Sequence, residues 1–124
     1  MKIITRRICG EERVLCYSLR VTKAVAERFG TGGLREKLAD SSPEETLDAV
    51  IWLLCQMMKA GKRYADKNGM SCPEAPEEED MLDDYGMDDL ADLYGVANET
   101  MAAGARQEVE AETTSKNGEA MQDR

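Results

Sequence analysis

The stretch SPEETLDAVIWLLCQMMKAGKRYADKNG, residues 42–69, decides the fold. It opens on the strongest helix-start signal in the chain. Ser42 offers a side-chain oxygen to free amides, Pro43 takes the first helical position without losing a needed N–H, and Glu45 stands where a capping box requires it. Behind that start Leu47, Val50, Ile51, Leu54, Met58, Gly61 and Ala65 recur at the three-four spacing that gathers residues on one helix face. Trp52, Leu53, Cys55, Met57 and Tyr64 widen the face beyond a single stripe, which puts this helix at the centre of the core. Asn68-Gly69 supplies a left-handed ending, and Lys59, Lys62, Arg63 and Lys67 meet the negative end of the helix dipole.

Upstream, residues 2–8 and 13–17 are enriched in Ile, Thr, Val and Tyr and read as the strands of a β-hairpin. Cys9-Gly10-Glu11-Glu12 joins them, with the glycine in a left-handed position. In the second run Val14, Leu15 and Tyr17 break strict alternation, so periodicity alone does not separate strand from helix there. Ser18 then caps a helix whose apolar face is Leu19, Val21, Ala24, Val25, Ala26 and Phe29, and Gly30 ends it. Gly30-Thr31-Gly32-Gly33 interrupts regular structure, and residues 34–39 add one or two helical turns.

Downstream, residues 70–76 with Pro73 and Pro76 form a linker, and Glu77-Glu78-Glu79-Asp80 places four acids at a helix N-terminus. Leu82, Leu90, Leu93, Tyr94, Ala97 and Met101 fall mostly on one face, with Gly86 and Gly95 expected to split the pattern. Residues 105–124 contain one valine, no aromatic residue and mostly polar side chains, which predicts disorder. The fold class is therefore α+β and mostly α-helical: an N-terminal β-hairpin, a small helical bundle and a disordered acidic C-terminal tail. Its divisions are a hairpin and helical core module over 1–68, an acidic linker and amphipathic helix over 69–103, and the tail over 104–124.

Charge follows the same division. Residues 1–68 carry 13 basic and 9 acidic side chains, residues 69–124 carry 3 and 16, and the whole chain has a net charge of −9. A basic module beside an acidic appendage leaves intramolecular docking open, and if residues 77–101 dock through opposite charge, salt should loosen them. The longest nearly apolar run, residues 49–58, is half the length of about 20 residues that spans a bilayer, so no membrane contact is expected. Residues 1–7 lack the apolar core and cleavage site of a secretory signal, which places the protein in the cytoplasm.

The residue types weigh against catalysis. There is no histidine, the commonest general base and neutral metal ligand. Cys9, Cys16, Cys55 and Cys72 show no C-x-x-C pair for zinc or redox chemistry and read as reduced packing residues. Residues 80–92 do not make a calcium loop, because setting Gly86 at position 6 leaves Met81 at position 1 and Tyr85 at position 5. The glycines at 30–33 lack the G-K-[ST] of a phosphate cradle, and Ser18, Ser41 and Ser42 have no histidine to activate them. Arg6, Arg7, Arg13, Arg20, Lys23 and Arg28 could line a basic face, with residues 21–40 faintly like a helix-turn-helix. The segment that would enter the groove is short, and the acidic half repels phosphate, so nucleic acid is disfavoured. Eight methionines, Met57, Met58, Met81, Met87 and Met101 among them, suit either core filling or an adaptable apolar surface.

The order of hairpin, VLCYSLRVTKAVAERFG (14–30), glycine-interrupted segment and SPEETLDAVIWLLCQMMKAGKRYADKNG (42–69) resembles the small tail assembly chaperones of siphophages and prophages of Gram-positive bacteria. The resemblance covers residues 1–68 and, more loosely, the helix over 82–101. It implies a non-enzymatic protein of the bacterial host cytoplasm, absent from the mature virion and without a cofactor. Such a chaperone coats the long apolar tape measure protein before the tail tube protein polymerises around it. On that reading the candidate partner-binding residues are Ile51, Leu54, Met57 and Met58 of the long helix and Leu90, Leu93, Tyr94 and Met101 of the acidic one. The competing class is a small phage-encoded regulator that binds or mimics nucleic acid. The breadth of the apolar face also makes a homo-oligomer plausible.

Overall fold

The computed structural model of the chain describes residues 2–30, 36, 39 and 41–116, the last twelve as backbone. Strands β1 (Ile3–Ile8) and β2 (Glu11–Cys16) pair antiparallel from Ile3 opposite Cys16 to Ile8 opposite Glu11. The connection is therefore two residues, Cys9 and Gly10, and not the four expected. Both adopt positive φ, 53° and 81°, the pairing of a tight turn whose twist matches that of the strands. Glu11 and Glu12 are left free to extend β2. The turn is anchored from a distance: the Cys9 N–H donates to the Tyr85 hydroxyl over 3.0 Å.

The irregular apolar pattern of the second run now has a cause. Arg13, Val14, Leu15 and Cys16 are all buried, because β2 is covered on both faces. Leu15 joins the main core, while Val14 packs with Ala65 and Cys72 in a smaller cluster. Helix α1 (Leu19–Phe29) starts at Ser18, whose side chain accepts from the Val21 N–H, and stops at Gly30 with φ 82°. Its buried face is narrower than the sequence pattern, since Val21 and Val25 are buried whereas Leu19 is 83% exposed and Ala26 is exposed. Of the turns expected over 34–39, residues 36 and 39 are helical and the rest lie outside the described residues.

Helix α2 (Pro43–Lys67) has the expected start and stop. Ser42 accepts from the Glu45 N–H, the Glu45 carboxylate accepts from the Ser42 N–H, and Pro43 opens the first turn. At the far end the Met70 N–H reaches back to the Ala65 carbonyl while Gly69 turns left-handed at φ 69°. Ten side chains along α2, from Ala49 to Ala65, are buried, as is Gly61. At Gly61 the helix lies against β2 so closely that a Cβ would sit 1.7 Å from the Val14 carbonyl oxygen.

The segment after α2 is held by specific contacts. Arg13, 5% exposed, donates from Nε to the Ile8 carbonyl at 2.7 Å and from a terminal nitrogen to the Glu74 carbonyl at 2.6 Å. The guanidinium thereby ties residues 70–76 to the hairpin and meets the hydrogen-bonding demand of a buried charge. Helix α3 (Glu78–Asp84) buries Met81, a 3₁₀ turn follows over Met87–Asp89, and helix α4 (Leu90–Lys116) closes the molecule. The break falls at Gly86, as expected, but Gly95 stays inside α4. Beyond Gly104 the backbone remains helical to Lys116, so the division at 104 is not a helix end. Ala105, Arg106, Gln107 and Glu108 are good helix formers and extend α4 past Gly104. Residues 117–124 of the expected tail lie outside the described residues.

Met81, Leu93 and Ala97 belong to the same core as the apolar residues of α2. The acidic half thus packs on the N-terminal module through buried apolar side chains. The sequence leaves open whether the acidic segment docks; among the described residues one ion pair, Arg6 to Glu99, joins α4 to the hairpin, and both partners are well exposed. Exposed pairs contribute little, and burial contributes about 25 cal/mol for each Å² of apolar surface, so burial dominates this contact.

Candidate functional site

The candidate partner-binding residues separate into two groups. Ile51, Leu54, Met57, Met58 and Leu93 are at most 5% exposed. They hold the fold: Leu54, Met57 and Met58 lie out of a partner's reach, whereas Ile51 and Leu93 reach the surface only as lining of the pocket described next. The reason is the width of the α2 face, which is covered by the hairpin on one side and by α3 and α4 on the other. Leu90 and Met101 are half-buried against the core, and Tyr94 is 37% exposed. The accessible part of the expected surface is therefore the part on α4.

That surface continues into residues the sequence pattern had assigned otherwise. Leu82, placed by periodicity on the apolar face, is 49% exposed, and Met87 in the 3₁₀ turn is 66% exposed. Between them opens an apolar pocket of about 130 Å³, lined by Leu47 and Ile51 of α2, Met81 and Leu82 of α3, Met87, and Leu90 of α4. Its walls come from segments some 40 residues apart, and no local periodicity reveals such a convergence. The elements that form its outer side carry Glu77, Glu78, Glu79, Asp80, Asp83, Asp84, Asp88, Asp89 and Asp92, with no Lys or Arg between them. Among the described residues none of these nine carboxylates is in an ion pair. Three have local work: Asp80 accepts from the Glu77 N–H, Asp89 from the Gly86 N–H and Asp84 from the Cys9 thiol.

The basic residues do not form one free face. Arg13 is buried, Arg6 pairs with Glu99, and Arg28 lies 4.7 Å from the Trp52 ring and 5.4 Å from that of Phe29. The two rings meet edge to face at 5.6 Å. Such a stack uses the guanidinium as a lid on aromatic surface. Three of the six cations of the proposed basic face are engaged within the fold.

The four cysteines are unpaired thiols. Burial pushes Cys55 up to about 12 and Cys9 to about 11, the latter helped by a hydrogen bond to the Asp84 carboxylate, and burial raises Cys16 as well. All three shifts oppose the thiolate that nucleophilic chemistry needs. They also make a pH prediction. In the unfolded chain these thiols ionise near 9, whereas the folded chain keeps their protons to about 11 and 12. Stability they contribute is full below pH 9 and declines as pH rises toward 11–12. Denaturant melts are expected to give a lower midpoint at pH 10.5 than at pH 8, with the gap narrowed in Cys55→Ala. A gap that Cys55→Ala leaves unchanged would refute the contribution of this thiol.

Among the described residues no group of three or more His, Cys, Asp or Glu side chains is placed to hold a metal ion, and no helix is long and apolar enough to cross a membrane. No protein family, no curated protein and no solved structure matches the chain.

Proposed function

We propose that this chain is a non-enzymatic binding protein, a tail assembly chaperone that covers apolar helical surface of a phage tape measure protein until tail tube subunits replace it. The observation that carries the reading is the α3–α4 surface, where Leu82, Met87 and Tyr94 stand exposed around an apolar pocket in a stretch whose nine carboxylates lack ion-pair partners among the described residues. Exposed apolar patches of this kind suit protein partners, and methionine adapts to irregular ones. Surplus negative charge would keep a coated, otherwise insoluble partner in solution. The order of elements and the two quoted sequence stretches support the same assignment through their resemblance to tail chaperones of siphophages and prophages. On this reading the protein acts in the bacterial host cytoplasm and leaves before the virion is complete.

The test is to express the tape measure protein encoded in the same genome with and without this chain. The soluble fraction of the tape measure protein is expected to rise at least tenfold in its presence. A tape measure protein that stays insoluble, with this chain purifying alone and binding duplex DNA in a salt-sensitive way, would transfer the assignment to the nucleic-acid regulator.

A further inference from the structure

We infer that the pocket between α2, α3 and α4 receives one large apolar side chain from a basic amphipathic helix of a partner protein. This deepens the proposed function, on which it rests for the premise that the α3–α4 surface faces a protein partner. Three observations carry it. The first is size: about 130 Å³ is close to the roughly 150 Å³ of a dry engineered cavity that admits a benzene ring, so the space fits a leucine or phenylalanine side chain. The second is the rim. Leu82 and Met87 are 49% and 66% exposed, offering apolar surface to residues one turn either side of the inserted one.

The third is charge, and it chooses the occupant. From Glu77 to Asp92 the chain carries nine carboxylates and no cation, and among the described residues none is in an ion pair. A second copy docking through the same face would bring the same acidic segment to the pocket and be repelled. An acidic or neutral helix would leave those carboxylates uncompensated. A helix with an apolar stripe at i, i+4 and i+7 and Lys or Arg on its flanks fills the pocket and offers partners to carboxylates of the segment 77–92 that carries its outer wall, which is the helix-in-groove mode of recognition with its charge specified. The acidic charge of the segment 77–92 would speed encounter and set partner choice, while the inserted side chain would set residence.

The experiment uses the full chain and a fluorescein-labelled 18-residue helical peptide with leucines on one face and lysines elsewhere. A second peptide has glutamate in place of every lysine. Fluorescence anisotropy is expected to show binding of the lysine peptide, weakened at least tenfold between 0.05 and 0.5 M NaCl, and none of the glutamate peptide. The double variant L82S/M87S changes only exposed side chains and is expected to melt like the parent yet bind at least tenfold more weakly. Asp83→Lys with Asp88→Lys is expected to do the same. Equal binding by L82S/M87S would overturn the proposal in favour of unspecific charge attraction. Equal binding of both peptides would overturn the charge assignment. Sedimentation of the parent as a dimer that L82S/M87S dissociates would give the pocket to a second copy. If the tape measure protein is solubilised by the parent and by L82S/M87S alike, the pocket inference fails and the chaperone reading stands. If the lysine peptide binds but the tape measure protein is not solubilised, the reverse holds.

Discussion

Gly61→Ala is expected to lower the thermal unfolding midpoint by about 8–16 °C, although alanine is the better helix former. The helix itself would gain about 1 kcal/mol from the exchange. Against this, the new Cβ would stand 1.7 Å from the Val14 carbonyl oxygen, 2.3 Å from its carbon and 2.9 Å from the Leu15 nitrogen. Real Cβ atoms do not come within 3.0 Å, so α2 and β2 must separate by about 1.3 Å. The obstacle is backbone on both sides, with no flexible side chain to give way. Overpacking of this kind costs about 3 kcal/mol, which leaves about 2 kcal/mol after the helical gain, and each kcal/mol moves the midpoint of a small domain by about 4–8 °C. Melts followed by circular dichroism decide the matter. A midpoint within about 3 °C of the parent would show that the helix and strand do not touch here. Gly95→Ala serves as the control, since a Cβ there meets nothing within 4 Å.

Leu54→Asp is expected to abolish cooperative unfolding. Leu54 is completely buried in the middle of α2. The substitution removes a buried apolar side chain, worth about 2–5 kcal/mol, and adds the cost of desolvating a carboxyl with no partner. Total stability of a small domain is about 5–15 kcal/mol, and a chain with one modest core belongs at the low end. Leu19→Asp provides the contrast: Leu19 is 83% exposed at the first position of α1, where an acid also suits the helix dipole. It is expected to change stability by less than about 0.5 kcal/mol. A cooperative melt from Leu54→Asp would mean that α2 is not the centre of the core.

What was readable in the sequence is what local chemistry dictates. Ser42, Pro43 and Glu45 set the start of α2 because capping acts over three residues, and Asn68-Gly69 set its end for the same reason. Ser18 and Gly30 did so for α1. What was not readable depended on neighbours remote in sequence. The burial of Arg13 needed the Ile8 and Glu74 carbonyls, the second 61 residues away. The buried face of α4 runs through Leu93, Ala97, Thr100 and Ala103. Thr100 escaped the apolar pattern because its hydroxyl is satisfied within the helix, donating to the Val96 carbonyl at 2.8 Å. Five of the eight candidate partner-binding residues were apolar in the right rhythm for a surface stripe and lie inside instead, because periodicity marks a face without saying what covers it. The pocket, built from Leu47 through Leu90, had no sequence signature beyond the clustered acids around it.

The proposed chaperone role requires this small acidic fold to cover a much longer apolar helical partner in many copies. Its most direct measurement is the mass, by light scattering after size exclusion, of the complex purified through a tag on the tape measure protein. A soluble particle containing several copies of this chain for each tape measure protein is expected, with fewer copies retained by L82S/M87S. A tape measure protein recovered without this chain, or with a single copy bound, would contradict it.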